Sequence, residues 1–102
     1  MKGVMVRYKV KADRSDENAD HIRKVFAELE ASAPAGLRYA SFRMEDGVSF
    51  VHMASIETDD GTNPLAATAA FKAFQAELKD RCEEPPKAVE LETIGSYKFL
   101  TD

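Results

Sequence analysis

The stretch at residues 37–57, LRYASFRMEDGVSFVHMASIE, decides the fold because it contains two strand patterns joined by a tight turn. Residues 37–44 alternate between two faces, and residues 48–57 are apolar on both. Between them lies Asp46-Gly47, a pair that favours the positive φ angles of a hairpin turn. We therefore predict an antiparallel hairpin whose second strand is central in a sheet and covered on both sides.

Period-two alternation also marks a strand near each end of the chain. Residues 4–11 are predicted as the first strand, with Val4, Val6, Tyr8 and Val10 on one face. Residues 87–100 are predicted as the last strand, after an extended approach forced by Pro85-Pro86. Gly95 is expected to mark a bend or bulge in that last strand.

Two helical patterns separate these strands. Residues 17–32 are predicted as a helix that Ser15 or Asp16 caps and that Pro34 and Gly36 stop. The second helix is predicted to begin at Asn63-Pro64 and to end near residue 81. The two helices carry apolar stripes, made of Ala19, Ile22, Val25, Phe26 and Leu29 in the first and Leu65, Ala69, Phe71, Phe74 and Leu78 in the second.

The resulting β-α-β-β-α-β order predicts an α+β, ferredoxin-like sandwich. Its four-stranded antiparallel sheet carries both helices on one face, and residues 1–102 form a single domain. The other face of the sheet has a mixed apolar and polar composition and no cover within the chain. We therefore expect a second copy to pack on it, which makes the protein a homodimer.

Charge and composition exclude several classes of function. With 18 acidic against 14 basic residues, a net charge of −4 and no basic run, the chain is not expected to bind nucleic acid. The single cysteine, Cys82, cannot form an internal disulfide. No segment has the pattern of a signal peptide or a membrane helix. A soluble protein of the reducing cytoplasm, without a membrane partner, is the expectation.

Four segments resemble a known family: FVHMASIE (50–57), NPLAATAAFKAFQAEL (63–78), RCEEPP (81–86) and GSYKF (95–99). Together with the element order, they look like small bacterial proteins of the antibiotic biosynthesis monooxygenase group, in the dimeric α+β barrel superfamily. The resemblance implies a barrel of two four-stranded sheets with a ligand cavity between sheet and helices in each subunit. It also implies oxidation of a quinol or phenol by dioxygen without metal, flavin or other cofactor.

His52 is the strongest candidate for a catalytic residue. It lies in the strand predicted to be most buried, and an imidazole is suited to general-base catalysis on an acidic phenol near neutral pH. The alternative is a core histidine satisfied by one or two hydrogen bonds. Tyr39 and Tyr97 are candidates for orienting a substrate hydroxyl, although a strand tyrosine more often packs with its polar tip at a rim.

Other candidates concern binding. Arg7 and Arg43 could hold a substrate carboxylate or a reduced oxygen species, or they could form salt bridges at the dimer interface. Phe26, Phe71 and Phe74, on the inner stripes of the helices, are predicted to wall a pocket for a small aromatic ligand. No metal site is predicted, because the two histidines, His21 and His52, are far apart in the sequence and no paired acidic motif accompanies them.

Two functions of different class follow from these residues. The first is a cofactor-independent monooxygenase acting on a small aromatic substrate, with His52 removing its proton. The second is a non-catalytic binding or structural dimer. Known oxygenases of the group often use a Trp and an Asn in the cavity. This chain has no Trp, and its asparagines are Asn18 and Asn63.

Overall fold

Four strands form one antiparallel sheet in the order β2-β3-β1-β4, with two helices. The computed structural model describes residues 2–98. Its elements are β1 (Lys2–Val10), α1 (Ser15–Ser32), β2 (Leu37–Arg43), β3 (Ser49–Ile56), α2 (Ala69–Arg81) and β4 (Cys82–Leu91), with short 3₁₀ turns at Ala12–Arg14 and Pro64–Ala67. The predicted β-α-β-β-α-β order and the ferredoxin-like class are confirmed.

The hydrophobic core lies between one face of the sheet and the helices. Alternate residues of β1 and β3 point into it, as period-two geometry requires. The buried apolar side chains are Tyr8, Val10, Ala19, Ile22, Val25, Phe50, Leu65, Phe74 and Leu78. The stripes predicted from helical spacing therefore supply most of the helix side of this core.

The β2–β3 hairpin forms around the Asp46-Gly47 turn, as predicted. Gly47 has a φ angle of +79°, which a residue without a Cβ adopts at little cost. The Asp46 carboxylate accepts hydrogen bonds from the backbone N–H groups of Val48 and Ser49 and from the Ser49 hydroxyl, at 3.0, 2.8 and 2.6 Å. These bonds hold the turn closed and fix the pairing that follows it.

Both helices begin differently from the prediction. Ser15 is the first residue of α1, not its cap, and its hydroxyl donates to the carbonyl of Gly47. Asn63 and Pro64 start a 3₁₀ turn, and Thr68 caps α2 by accepting from Phe71 N–H. Pro64 suits the start of either kind of helix, so its pattern cannot distinguish a short turn from a long helix.

The two helices are joined by a charged contact. The Glu28 carboxylate, on α1, accepts from the backbone N–H groups of Ala69 and Ala70 at 3.1 and 2.9 Å. A negative charge is favoured at a helix N-terminus, where N–H groups lack helical partners. Glu28 thereby fixes α1 against the start of α2. Neither helix in the described part of the chain has the length and apolar character needed to cross a membrane.

Strand β4 occupies Cys82–Leu91, not residues 87–100 as predicted. Its first half pairs with the end of β1 through an irregular register, Lys9 with Glu84 and Val10 with Cys82. Pro85-Pro86 fits there because β4 is an edge strand, where prolines need not donate to a ladder. The strand ends opposite the start of β1, so residues 92–98 have no partner backbone. Gly95 lies in that segment and marks no bulge, and Leu100 lies outside the described residues.

The second face of the sheet carries no helix. We call it the open face, and its apolar side chains are Met5, Ala40, Phe42, Val51, Met53, Val89 and Leu91. Phe42, Val89 and Leu91 are 40, 47 and 38% exposed. Central strand β3 is therefore covered by helices on one side only within a single chain.

Replacing Asp46 by Ala should lower the midpoint of thermal unfolding at pH 7, because three donors at the turn lose their acceptor. Hydrogen bonds lower the pKa of this carboxyl from 3.8 to about 2. A depressed pKa stabilises the fold above the ordinary pKa, and this contribution is lost as pH falls toward 2. The difference between wild type and Asp46→Ala in calorimetry should therefore shrink on acidification. Asp59→Ala, in another loop, is the control, and equal midpoints for all three proteins at pH 7 would contradict the prediction.

Candidate active site

His52 lies at the centre of the site because the sheet register places it there. On β3 it pairs with Val6 of β1 and with Ser41 of β2. Its side chain points toward the helices and is 5% exposed. The imidazole stacks on Tyr8 and Tyr39, with ring centroids 5.3 and 5.9 Å away and interplanar angles of 12° and 16°.

Both ring nitrogens of His52 are hydrogen bonded. Nε2 lies 2.7 Å from the Tyr8 hydroxyl. Nδ1 lies 2.7 Å from the Tyr39 hydroxyl and 2.6 Å from that of Ser41. A buried imidazole is normally satisfied in this way, so the bonds themselves fit either a core histidine or a site residue. The two hydroxyls at Nδ1 distinguish this histidine, because they connect it to a groove.

The network extends inward from Tyr8. Asn18 Nδ2 donates to the Tyr8 hydroxyl at 2.9 Å, and Arg81 Nε donates to Asn18 Oδ1 at 3.1 Å. Asn18 and Arg81 are both 0% exposed. The Arg81 guanidinium also lies over the Phe74 ring, 5.5 Å from its centroid. Five polar side chains thus run in one line from the helical core to the sheet.

Burial shifts the acid–base properties of this line. It lowers the pKa of His52 from 6.5 to about 4 and raises the pKa of Tyr39. Burial also raises the pKa of Tyr8 well above its ordinary value, against a lowering contribution from the Asn18 hydrogen bond. Desolvation penalises the charged form of each group. At neutral pH the imidazole and both phenols are therefore uncharged.

A groove opens between α1 and β2 beside these hydroxyls. Its larger part has a volume of about 260 Å³ and is lined by Ala19, Ile22, Arg23, Phe26, Ser41, Phe42, Arg43 and Phe50. A second part, of about 250 Å³, is lined by Phe26, Leu29, Glu30, Ala33, Pro34, Leu37 and Tyr39. Phe26 borders both parts and stacks on Tyr39 with centroids 5.1 Å apart. Each part is smaller than the usual ligand site, roughly 300–1,000 Å³.

The larger part of the groove combines apolar walls with positive charge. Arg23 and Arg43 line it, and each pairs with an aspartate, at 2.8 Å to Asp20 and 3.0 Å to Asp16. Arg43 also lies over the Phe50 ring, 5.5 Å from its centroid. Ion pairs of this exposed kind are worth little, so both guanidinium groups can exchange an aspartate for a bound anion.

Four predicted site residues come together here, namely His52, Tyr39, Phe26 and Arg43. Phe74 and Phe71 do not line the groove: Phe74 is 3% exposed in the core and Phe71 packs beside it, with ring centroids 6.0 Å apart. Both side chains lie deeper between α2 and the sheet than helical spacing alone indicates. The Phe74 ring is tilted against the rings of His52 and Tyr8, with centroids 5.6 and 6.4 Å away, and Phe71 packs on Phe74.

Arg7 and Tyr97 lie away from the groove. Arg7 is exposed on the open face, opposite Val51 and Lys87, because it alternates with Tyr8 along β1. Tyr97 is 83% exposed in the segment after β4 and contacts Lys98. In a single chain neither residue can touch a ligand that lies beside His52.

Sequence reasoning missed Tyr8, Ser41 and the buried pair of Asn18 and Arg81. The signal for Ser41 was present, since hairpin register sets it opposite His52. Arg81 gave no such signal, because an arginine in the last helical turn usually offsets the helix dipole at the surface.

Other reactive side chains lie elsewhere. Burial raises the pKa of the Cys82 thiol, which disfavours a reactive thiolate. Within residues 3–98, Glu17, His21 and Glu77 come close enough to share an ion. However, Glu17 already pairs with Arg14 at 2.7 Å, and both glutamates are exposed.

Acidification should destabilise the protein through His52. Its folded pKa is about 4 against 6.5, so the unfolded chain binds the proton first and stability falls as pH drops below the ordinary value. Between pH 7.5 and pH 5, urea unfolding should lose roughly 2 kcal/mol more in the wild type than in His52→Gln. His21→Gln should behave like the wild type. If the free energy of unfolding falls equally with pH in the wild type and in His52→Gln, His52 has no such pKa shift.

Comparisons with known proteins agree with this architecture. No family model matches the chain, and no curated protein matches its sequence. Among solved structures, a protein of Nitrosomonas europaea provisionally named an antibiotic biosynthesis monooxygenase superposes with a TM-score of 0.78 at 20% identity, over 93% of this chain and 100% of that one.

Two further structures show the same likeness. A protein of the same provisional name from Caulobacter crescentus gives a TM-score of 0.71 at 23% identity, covering 92% of this chain and 90% of that one. The N63A mutant of SnoaB, a cofactor-independent oxygenase from Streptomyces nogalater, gives 0.69 at 15% identity, covering 93 and 94%. The chain therefore shares the fold of the antibiotic biosynthesis monooxygenases, which is the fold that the sequence resemblance implied.

Proposed function

We propose that this chain is a cofactor-independent monooxygenase that oxidises a small aromatic quinol or phenol bound in the α1–β2 groove. One observation carries the proposal: His52, which is buried on the helix side of the sheet, reaches that groove through the hydroxyls of Ser41 and Tyr39. A pocket with apolar walls and a few convergent polar groups is the common form of a small-molecule site. The shared fold with SnoaB, an oxygenase of this type, supports the same reaction class.

In this proposal the protein contributes orientation and electrostatics. Phe26 and Phe50 hold the ring, and the Ser41 and Tyr39 hydroxyls contact the substrate oxygen. An ionised phenol or quinol is electron-rich and reacts with dioxygen when held in a fixed geometry. One oxygen atom enters at a ring carbon and the product is a quinone. The ring carbon and the phenol oxygen each lose one hydrogen, and both hydrogens leave with the second oxygen atom as water, so the reaction needs no outside reductant.

A second copy of the chain completes the proposed enzyme. The open face presents Phe42, Val89 and Leu91 at 38–47% exposure, beside further apolar side chains of β1 and β3. Contiguous exposed apolar surface on a sheet favours association, and a face-to-face pair about a twofold axis buries it on both copies. Arg7 would then lie within the interface.

A non-catalytic binding protein is the second candidate. It is favoured by the low pKa of His52, about 4, because a base this weak takes a proton from a phenol poorly. It is also favoured by the complete hydrogen bonding of the imidazole. Such a protein would bind aromatic ligands in the same groove without consuming oxygen.

Oxygen-electrode assays with a panel of quinols and polycyclic phenols should find a substrate that the protein oxidises with a chelator present. Ser41→Ala should lower kcat/KM for that substrate roughly ten- to a hundredfold, because the variant loses a hydrogen bond to developing charge. Phe26→Ala should mainly raise KM, and Lys72→Ala, on the exposed side of α2, is the control. If the folded protein binds members of the panel and consumes no oxygen with any, the binding protein is the correct function.

Sedimentation at micromolar concentration should find a dimer in the wild type. Val89→Lys should shift the protein toward monomer, because it places a charge within the proposed apolar contact. Lys24→Glu, on the exposed side of α1, should leave the dimer intact. A wild-type monomer at this concentration would refute the face-to-face pair.

A further inference from the structure

We infer that the buried Arg81 guanidinium fixes which partner donates in each hydrogen bond of the line from Arg81 through Asn18 and Tyr8 to His52. In this arrangement His52 is held as a donor toward Ser41 and Tyr39, and the groove selects an oxyanion. The hydrogen-bond assignment stands on geometry alone. The identity of the ligand as an anionic substrate rests on the proposed function.

Arg81 is an arginine in an unusual position. It is 0% exposed, and its hydrogen-bond partners among residues 3–98 are two neutral oxygens, Oδ1 of Asn18 and the carbonyl of Phe74, both at 3.1 Å. Its Nη1 has no partner there. No carboxylate among those residues hydrogen bonds to it, although the Glu17 carboxyl, whose pKa is lowered mainly by its hydrogen bond to Arg14, also interacts with its charge. Burying a charge without a directly bonded carboxylate is costly, so the neutral dipoles around this cation must point their negative ends toward it.

The orientation of Asn18 follows from the donors of arginine. A guanidinium has five N–H donors and no acceptor, so the amide oxygen of Asn18 must face Arg81. The amide nitrogen then faces Tyr8 and donates to its hydroxyl oxygen at 2.9 Å. The usual ambiguity between oxygen and nitrogen of an asparagine side chain is removed by this contact.

The hydroxyl of Tyr8 continues the same order of donor and acceptor toward His52. Its oxygen accepts from Asn18, and its single hydrogen needs an acceptor. Within the described part of the chain, the only other polar group at this hydroxyl is Nε2 of His52, at 2.7 Å. Nε2 must therefore carry the lone pair, because an Nε2–H would leave the buried Tyr8 hydrogen without a partner.

The proton of the neutral imidazole is then on Nδ1, which donates to the hydroxyl oxygen of Ser41 or Tyr39. Ser41 also hydrogen bonds to Tyr39. The Ser41 and Tyr39 hydroxyls carry two hydrogens. Even when one of them lies between the two oxygens, the other can be donated to a ligand in the groove. Five consecutive side chains thus donate in the same direction, away from a positive charge and toward the ligand.

This direction has a chemical consequence for the ligand. A groove that offers a hydroxyl donor, with Arg23 and Arg43 along its wall, is complementary to an acceptor oxygen with negative charge. Phenolate, enolate and carboxylate oxygens share that chemistry. The neutral phenol, which must donate its own hydrogen, meets a competing donor. Arg81 and Asn18 never touch the ligand and act as positioning residues.

The tautomer can be measured without any substrate. In long-range ¹H–¹⁵N spectra of protein labelled at histidine nitrogen, His52 should show a protonated Nδ1 and an unprotonated Nε2 between pH 5.5 and pH 8. His21→Gln assigns the signals. A protonated Nε2 in the wild type would overturn the inference, whether or not the protein is an oxygenase.

Asn18→Asp provides the sharpest test because it changes almost no volume. The new carboxylate accepts from Arg81 on one oxygen and from the Tyr8 hydrogen on the other, which reverses every bond beyond it. His52 should switch to the Nε2–H tautomer, with Nδ1 an acceptor toward the groove. Tyr8→Phe, which removes the hydroxyl that links Asn18 to His52, should give a mixture of tautomers. An Asn18→Asp protein that folds and keeps Nδ1–H would overturn the inference.

The ligand preference can be measured with 4-nitrophenol, whose ionised form is visible by absorbance. The wild type should bind the phenolate roughly tenfold or more tightly than the phenol, which lowers the apparent pKa of the bound probe. Asn18→Asp should reduce or reverse that preference, and Ser41→Ala combined with Tyr39→Phe should abolish it. Equal binding of both forms to the wild type, or binding of the neutral form alone, would overturn the oxyanion assignment.

Discussion

The pairing register of β2 and β3 is the constraint on which the site depends. Side chains alternate along a strand, so a slip of one residue would turn all of β3 over and move His52 to the open face. The Asp46-Gly47 turn prevents that slip, because its carboxylate holds three donors of the following strand. The turn lies just beyond Arg43, which lines the groove, and it sets Ser41 opposite His52. The chemistry of the site therefore depends on the geometry of the turn.

The second constraint is the free-energy cost of burying a line of polar side chains inside a small core. Tyr8, Asn18, His52 and Arg81 are all at most 5% exposed, in a domain of 102 residues. Apolar side chains of similar volume would pack there with no desolvation penalty. By contrast, a network in which nearly every polar atom is hydrogen bonded, here all but Arg81 Nη1 among the described residues, allows few alternative arrangements. The line therefore makes the core specific at the expense of stability, and this balance is common where a fold supports a binding site.

Sequence patterns predicted the framework because local physics dictates it. Asp46-Gly47 indicated the hairpin, period two indicated the strands and placed His52 in a buried one, and helical spacing found the stripes that face the sheet. Strand β4 was placed too late, because the pairing of Cys82 and Glu84 with the end of β1 depends on a bulge that composition does not reveal. Contacts across the fold were beyond such patterns: Asn18 meets Arg81 from 63 residues away, and Tyr8 meets His52 from 44. Their partnership arises only when α1, α2 and the sheet pack together.

Pro85-Pro86 in β4 has a consequence for how copies of this chain can meet. Two successive residues on an outer strand lack amide hydrogens, so an incoming strand finds a gap in the ladder that it would have to complete. Sideways growth of the sheet into larger polymers is thereby discouraged along that border. The proposed face-to-face pair would therefore bury the apolar open face by stacking, which ends at two molecules, and not by edge-on addition, which has no natural end.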